Sequence, residues 1–307
     1  MTRVSTSAGW ESALMNLMSA QQRQFDAQNR VSSTKIATDL KGYGRSAETL
    51  TAFKSAHARL SGFVANGEAV AARLGAQDVA LNRLADAADG ARNAISEALA
   101  TGRGDSLMLD LEGRFQEALD ALNTKHHGRF LFAGGRTDTR PVSGDALSDL
   151  TAAPAVDDLF NNDALKQASR LDDFTVVETG FLADEAGRDL FEAFRTIQAF
   201  HEATPFNGQL TPAQRDFLAA QVGAFQAAHG DTINAAARNG SMQRRVDSHV
   251  GAQKEQADAL ENLISERTDV DMAEAITQLQ QAQLSVQASA QVIAQLRGVS
   301  LLDLLRT

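Results

Sequence analysis

Met272, Leu279, Val286 and Ile293 recur every seven residues, with Ile276 and Leu296 beside them. This spacing predicts one helix that packs along a single side. From Ala275 to Leu296 that helix has 22 residues without an Asp, Glu, Lys or Arg, and seven of them are Gln. A bilayer would leave those amides unsatisfied, and a solvated helix would carry charges. The segment therefore predicts a helix buried among other helices. The other end of the chain repeats the pattern. Trp10, Leu14, Leu17, Met18, Phe25 and Val31 form a helical stripe interleaved with Gln21, Gln22, Gln24 and Gln28, which predicts a helix of about thirty residues.

Between the two ends the apolar positions predict two much longer helices. Leu50, Phe53, Leu60, Val64, Val70, Leu74, Leu81, Leu84, Ile95 and Leu99 mark one, from about Ser46 to Ala100. Lys41-Gly42-Tyr43-Gly44 breaks the chain before it, and Gly62, Gly67, Gly75 and Gly90 are candidate bends. Thr101 to Gly104 ends it. Asp105 is the expected N-cap of a shorter helix through Leu111, Phe115, Leu119 and Leu122. Phe217, Val222, Phe225, Ile233, Val246, Val250, Leu260 and Leu263 mark the second long helix. Its start carries Thr211 as N-cap, Pro212 as first helical residue and Gln214 closing a capping box. Thr268 to Asp271 separates it from the last helix, with Asp269 and Asp271 opposing the helix dipole.

All four prolines lie between 141 and 212, so both flanks are free to form uninterrupted helices. Within the intervening stretch, Arg129 to Gly135 and Phe174 to Thr179 read as strands and Asp184 to Ala203 as a helix. The expected fold is mainly α: a long antiparallel bundle or rod, coiled-coil-like, carrying a small mixed α/β insert. The expected division is 1–45 with 266–307 as paired terminal helices, 46–140 with 206–265 as the long-helix part, and 141–205 as the insert.

Composition narrows the function. The chain has 307 residues and no cysteine, which removes disulfides and thiolate chemistry. Net charge is −10, an unsuitable balance for nucleic acid. Residues 141–205 hold 13 acidic and 4 basic side chains, so the insert supplies most of that excess and is expected to face solvent. No stretch predicts a membrane span, and the first ten residues lack an apolar core, so no cleavable Sec signal is expected.

Candidate chemistry is sparse. The six histidines show no metal-ligand spacing and there is no HExxH or GxSxG. His126-His127 reads as a helix C-terminal feature facing the dipole. Ala133-Gly134-Gly135-Arg136 reads as a tight turn in preference to an anion nest. Asp157-Asp158 and Asp172-Asp173 lack the spacing of a calcium loop. No catalytic residue, cofactor or metal site is expected, and the chain reads as structural, not enzymatic.

The segments Val270-Asp271-Met272-Ala273-Glu274-Ala275-Ile276, Ser289 to Leu296, and Ser300-Leu301-Leu302-Asp303-Leu304-Leu305 resemble the C-terminus of the flagellin family. Arg3-Val4-Ser5-Thr6 and the run Phe130-Leu131-Phe132-Ala133-Gly134-Gly135-Arg136-Thr137-Asp138-Thr139 are similar to the hook–filament junction members of that family. Arg140-Pro141 replaces the Pro-Pro usual after that run. The resemblance implies a structural subunit of the bacterial flagellum, extracellular and exported without a Sec signal. The implied partners are other copies of the chain in a ring or helix, another hook-associated junction protein, flagellin, the flagellar export apparatus and an export chaperone. The implied assembly residues are Trp10, Leu14, Leu17, Met18, Phe25, Met272, Ile276, Leu279, Val286, Ile293, Leu296, Leu301 and Leu304. The junction-type motif is Phe130, Leu131, Phe132, Gly134, Gly135, Thr137 and Asp138. Two other readings stand beside this one: a filament subunit, and a secreted membrane-active helical protein.

Overall fold

The computed structural model describes the backbone of residues 2–304 and the side chains of residues 9–296. It is mainly α. In order come α1 (Thr2–Ser33), a 3-10 turn (Leu40–Ser46), α2 (Ala47–Thr101), α3 (Leu107–Leu122), β1 (Lys125–His126), β2 (Arg129–Phe130) and α4 (Leu147–Ala152). A second 3-10 turn (Val156–Leu159), β3 (Ala168–Arg170), β4 (Val176–Glu178), α5 (Ala183–Ala203), α6 (Pro212–Thr268) and α7 (Met272–Leu304) follow. The chain divides into two compact units, Leu60–Glu255 and Met1–Arg59 with Gln256–Thr307.

Unit Leu60–Glu255 is built on two heptad seams. On α2 the buried positions Gly67, Val70, Leu74, Gln77, Leu81, Leu84, Ala88, Ala91, Ile95 and Ala98 alternate in steps of three and four. On α6, Leu218, Phe225, Thr232, Asn239, Val246 and Gln253 are buried at every seventh residue. This is the spacing of coiled-coil seams. A side chain on Gly67 would collide with Val250, so the α2 glycine marks close helix approach and not a bend. The α6 seam differs from the expected stripe. Leu218 is buried where Phe217 was expected, and Ile233 is 43% exposed. Small and polar residues at Ala228, Thr232, Ala235 and Asn239 occupy the seam instead. Large apolar residues would hold the helices further apart.

α3 and α5 complete the same core. The Phe115 ring lies 5.2 Å from Phe191 and 5.8 Å from Phe194, and Phe194 lies 5.0 Å from Phe225, with edge-to-face geometry throughout. Val142, Leu147, Leu150 and Val156 pack on this cluster, so the irregular stretch after residue 140 shares the core of the helices. A smaller cluster joins Val70, Leu74, Val246 and Val250 to Leu171 and Val177 of the β3–β4 hairpin.

The helix starts are set by local chemistry. At α6 the Thr211 hydroxyl accepts from the Gln214 amide at 3.3 Å, and Gln214 Oε1 accepts from the Thr211 amide at 2.9 Å, as the capping box requires. At α7 the Asp271 carboxylate accepts from Ala273 and Glu274 at 2.8 and 3.2 Å. Asp105 does not cap α3. Ser106 is the residue before that helix, and Asp105 instead accepts the Gly208 amide at 2.9 Å and pairs with Arg103. Two residues with positive φ, His127 (50°) and Gly128 (80°), turn β1 into β2. His126 and His127 thus belong to a hairpin and not to a helix terminus: α3 ends at Leu122, and a two-residue turn needs this backbone pair.

Candidate assembly surface

α1 and α7 run antiparallel. The Arg30 guanidinium donates to Gln278 Oε1 at 3.2 Å, and Gly9, Ala13 and Asn16 share a groove with Leu296, Val292 and Ser289. Their contact line is made of alanine. Ala20 and Ala27 on α1, and Ala275 and Ala282 on α7, are the buried residues, each pair one heptad apart. The apolar pattern alone does not single these out, because alanine is common throughout the chain. The signal lies in their seven-residue spacing. Trp10, Leu17, Leu279, Val286, Ile293 and Leu296 are half-buried along the line. Leu14 (44%), Met18 (62%), Phe25 (60%), Met272 (38%) and Ile276 (44%) face solvent. Leu301 and Leu304, like Arg3 to Thr6, lie outside the residues whose side chains are described.

An alanine seam buries little apolar area per residue. Grooves of about 370 and 330 Å³ remain along the pair, one beside Arg23, Asp26 and Gln281, the other beside Ala13 and Val292. Protein interiors are close-packed, so this pair is filled less tightly than a core. Leu14, Met18 and Phe25 fall on one face of α1, four and then seven residues apart, with Met15 (64%) at its edge. Leu284 (64%) and Val292 (49%) add exposed apolar area on α7.

A short clasp joins the two helices where they enter the rest of their unit. Ile36 donates to the Thr268 carbonyl at 2.7 Å and Val270 donates to the Thr34 carbonyl at 3.1 Å, with Lys35 opposite Asp269. Thr34 reaches this geometry with φ at 56°. The Asp269 carboxylate is paired with Lys35 and accepts the Ser265 and Thr268 hydroxyls, which holds its pKa at about 2, below the usual 3.8. A depressed carboxylate pKa contributes stability above its unfolded value, and that contribution is lost as pH falls through the folded value. Exchange protection of the Ile36 and Val270 amides should therefore be flat above about pH 4 and weaken between pH 4 and 2. In an Asp269→Asn variant that pH dependence should vanish. An unchanged profile in the variant would show that another group titrates.

The junction-type run is a folded turn inside unit Leu60–Glu255. Phe130 donates to the Thr137 carbonyl at 2.8 Å, and the Phe132 carbonyl accepts Ala183 at 3.0 Å. Leu131, Phe132 and Ala133 are buried. Gly134 takes φ at 68°, and a Cβ there would run into Asp163. Asp163 Oδ1 accepts the amides of Gly135 at 2.7 Å and Leu165 at 3.0 Å, which lowers its pKa. The amides of this turn thus hold the chain's own carboxylate. Arg136 donates to Ala133 and Thr139 to Arg136, so Thr137 and Asp138 lie in the following turn. The predicted motif residues come together here, in a different unit from the assembly residues.

The remaining candidates have structural partners. Asp157 pairs with Arg188 at 2.7 Å, Asp158 accepts the Ala155 amide at 3.2 Å, and Asp172 accepts the amides of Phe174 and Thr175. Arg73 is half-buried, its pKa lowered by that burial, and its guanidinium donates to Gln167, Ser169 and Thr179. Burial also lowers the His126 pKa. Among the described residues no cluster of three metal-ligating side chains occurs, and no helix is long and apolar enough to cross a membrane.

Residues 222–305 match the family described as bacterial flagellin C-terminal helical region. The likeness to that family covers this C-terminal segment of the chain. It is similar to a solved structure described as a flagellar hook-associated protein from Vibrio parahaemolyticus, with a TM-score of 0.60 and 14% identity, over 75% of this chain and 99% of that one. It is also similar to Bacillus cereus FlgL, with a TM-score of 0.52 and 16% identity, over 70% of this chain and 97% of that one. At these identities the two likenesses concern the fold. No curated protein sequence matches significantly.

Proposed function

We propose that this protein is a structural, non-enzymatic subunit of the junction between the flagellar hook and the filament. One observation carries the reading: the terminal pair α1–α7 leaves Leu14, Met18 and Phe25 exposed in one line over an incompletely filled seam. Such a surface is unfavourable in an isolated molecule and favourable between copies. The fold shared with FlgL of Bacillus cereus favours the junction over other flagellar positions. In this reading the module 1–45 with 266–307 makes the contacts between copies, and its ordering is coupled to assembly. The parts 46–140 with 206–265 supply the stiff helices, and 141–205 is the acidic, solvent-facing insert. The partners are other copies, a second hook-associated protein and flagellin, with delivery by the flagellar export apparatus and an export chaperone.

Deleting the gene should leave hooks intact while flagellin is released into the medium instead of retained. Electron microscopy and a blot of the supernatant check both. Attached filaments of normal length in the deletion strain would overturn the junction role. A deletion strain whose hooks carry a complete set of junction proteins but no filament, and whose medium contains no flagellin, would identify a filament subunit instead.

A further inference from the structure

Asn-Gly occurs three times in the chain, at Asn66-Gly67, Asn207-Gly208 and Asn239-Gly240. An asparagine side chain can react with the backbone nitrogen of the residue after it, and glycine, without a side chain, crowds that nitrogen least. The three pairs stand in different surroundings. Gly67 and Gly240 lie inside α2 and α6, where each backbone amide bonds the carbonyl four residues back. The Asn66 side chain donates to the Arg170 carbonyl at 2.7 Å. Asn239 is fully buried and donates to the Leu74 carbonyl at 2.9 Å. In both pairs the side chain and the nitrogen are thus already engaged.

Asn207 has neither restraint. It is exposed in the loop between α5 and α6, and its side chain makes no hydrogen bond among the described residues. Gly208 turns the chain with φ at 70°, and a side chain placed on it would meet nothing within 4 Å. The space beside its nitrogen is therefore open. The Gly208 amide lies outside any helix and donates to Asp105 Oδ1 at 2.9 Å. That is the reach of a general base for the proton it takes. An acceptor lies along the N–H bond, near the peptide plane, whereas attack on a carbonyl carbon occurs from the face of the nitrogen. Deprotonation by Asp105 and attack on Asn207 thus use different sides of one atom. The Arg103 side chain and the Gly208 amide keep the Asp105 pKa low, so it is ionised at neutral pH.

We infer that Asn207-Gly208 is a self-modifying site, at which Asn207 loses its side-chain amide with Asp105 as general base. The Gly208 nitrogen bonds to the Asn207 side-chain carbonyl carbon while its proton passes to the Asp105 carboxylate. The bond from that carbon to the side-chain nitrogen breaks. Asp105 returns the proton to the leaving nitrogen, which departs as ammonia and leaves a succinimide ring. Water then opens the ring at either carbonyl, giving aspartate or isoaspartate at 207. The change strikes a stitched pair of loops. Gly104 donates to the Gly208 carbonyl at 2.9 Å and Leu210 to the Gly102 carbonyl at 2.8 Å, beside the Gly208–Asp105 bond. The succinimide has no N–H for Asp105, both products place a second carboxylate near it, and isoaspartate lengthens the backbone. Modified copies therefore loosen the stitch between the α2–α3 and α5–α6 loops.

The three asparagines fall in three different tryptic peptides, so mass spectrometry of purified protein aged at neutral pH separates them. The peptide 196–215 should gain the mass of an Asn-to-Asp change and split into aspartate and isoaspartate forms, with one ammonia released per modified chain. The Asn66 and Asn239 peptides should change at least tenfold more slowly. In urea, where the surroundings are lost, the three should change at similar rates. Asp105→Asn keeps an oxygen to hold the Gly208 amide but removes the base. It should slow the change at Asn207 by about tenfold or more, with melting temperature and exchange protection of the Leu210 amide unchanged. In the aged parent, exchange at the Gly104 and Leu210 amides should quicken. An unmodified 196–215 peptide, or equal rates at the three pairs in folded protein, would overturn the site. A rate that stays the same or rises in Asp105→Asn would overturn the role of Asp105.

Discussion

Replacing Met18 and Phe25 together by aspartate leaves the melting temperature of the soluble chain within about 2–4 °C of the parent, but abolishes retention on flagella. The two side chains are 62% and 60% exposed. Surface substitutions of this kind change stability by about 0.5 kcal/mol or less each, and 1 kcal/mol shifts the melt of a domain of this size by about 2–4 °C. In an assembly the balance is different. Burying each side chain against a neighbour contributes about 1.5–3 kcal/mol, and an unpaired carboxylate at the same place adds a desolvation cost. The loss recurs at every copy. Calorimetry of the soluble protein and a blot of purified flagella separate the two effects. Normal retention of the double variant would show that this face of α1 stays in solvent.

Phe194→Ala has the opposite profile. Phe194 is 1% exposed, and its ring meets both Phe115 and Phe225 edge-on. Truncation removes the ring and leaves a cavity that α3, α5 and α6 cannot close without moving together, at a cost of about 3–5 kcal/mol. That is a large share of the stability of an ordinary domain. Denaturant unfolding should show a midpoint shifted to low denaturant, with an unchanged slope if the unfolding remains two-state. A loss below about 1 kcal/mol would mean that the core repacks around the gap.

The helical skeleton was legible in the sequence because its start signals and periods are strong. The Thr211-Pro212-Gln214 box forms with the expected partners, and the segment of the C-terminal seven-residue repeat is helical, as α7. What escaped was the identity of the residues between helices. A reading by hydrophobicity favours Phe217 and Ile233, yet Leu218 is buried instead of Phe217, and Thr232 and Asn239 fill the seam, each donating to a backbone carbonyl. The proposed assembly face shows the same bias. Its exposed members were readable as a stripe, whereas the Ala20, Ala27, Ala275 and Ala282 line was not. Asp105 illustrates a third limit: a good capping residue was diverted to the distant Gly208 amide, a contact that no local pattern announces.

The buried amides on α6 bear on how alike the copies of this protein must be. A seam of Leu, Val and Ala repeats every seven residues, and repeats invite sliding by a whole heptad, a displacement of about 10 Å along a helix. Asn239 donates to the Leu74 carbonyl at 2.9 Å, and Gln253 to the Leu171 carbonyl at 2.6 Å. After a slide neither amide would meet its acceptor, and both would be left dry and unpaired. Within unit Leu60–Glu255 the two helices are thereby locked to one axial setting, so in the proposed assembly each copy would present that unit with the same spacing.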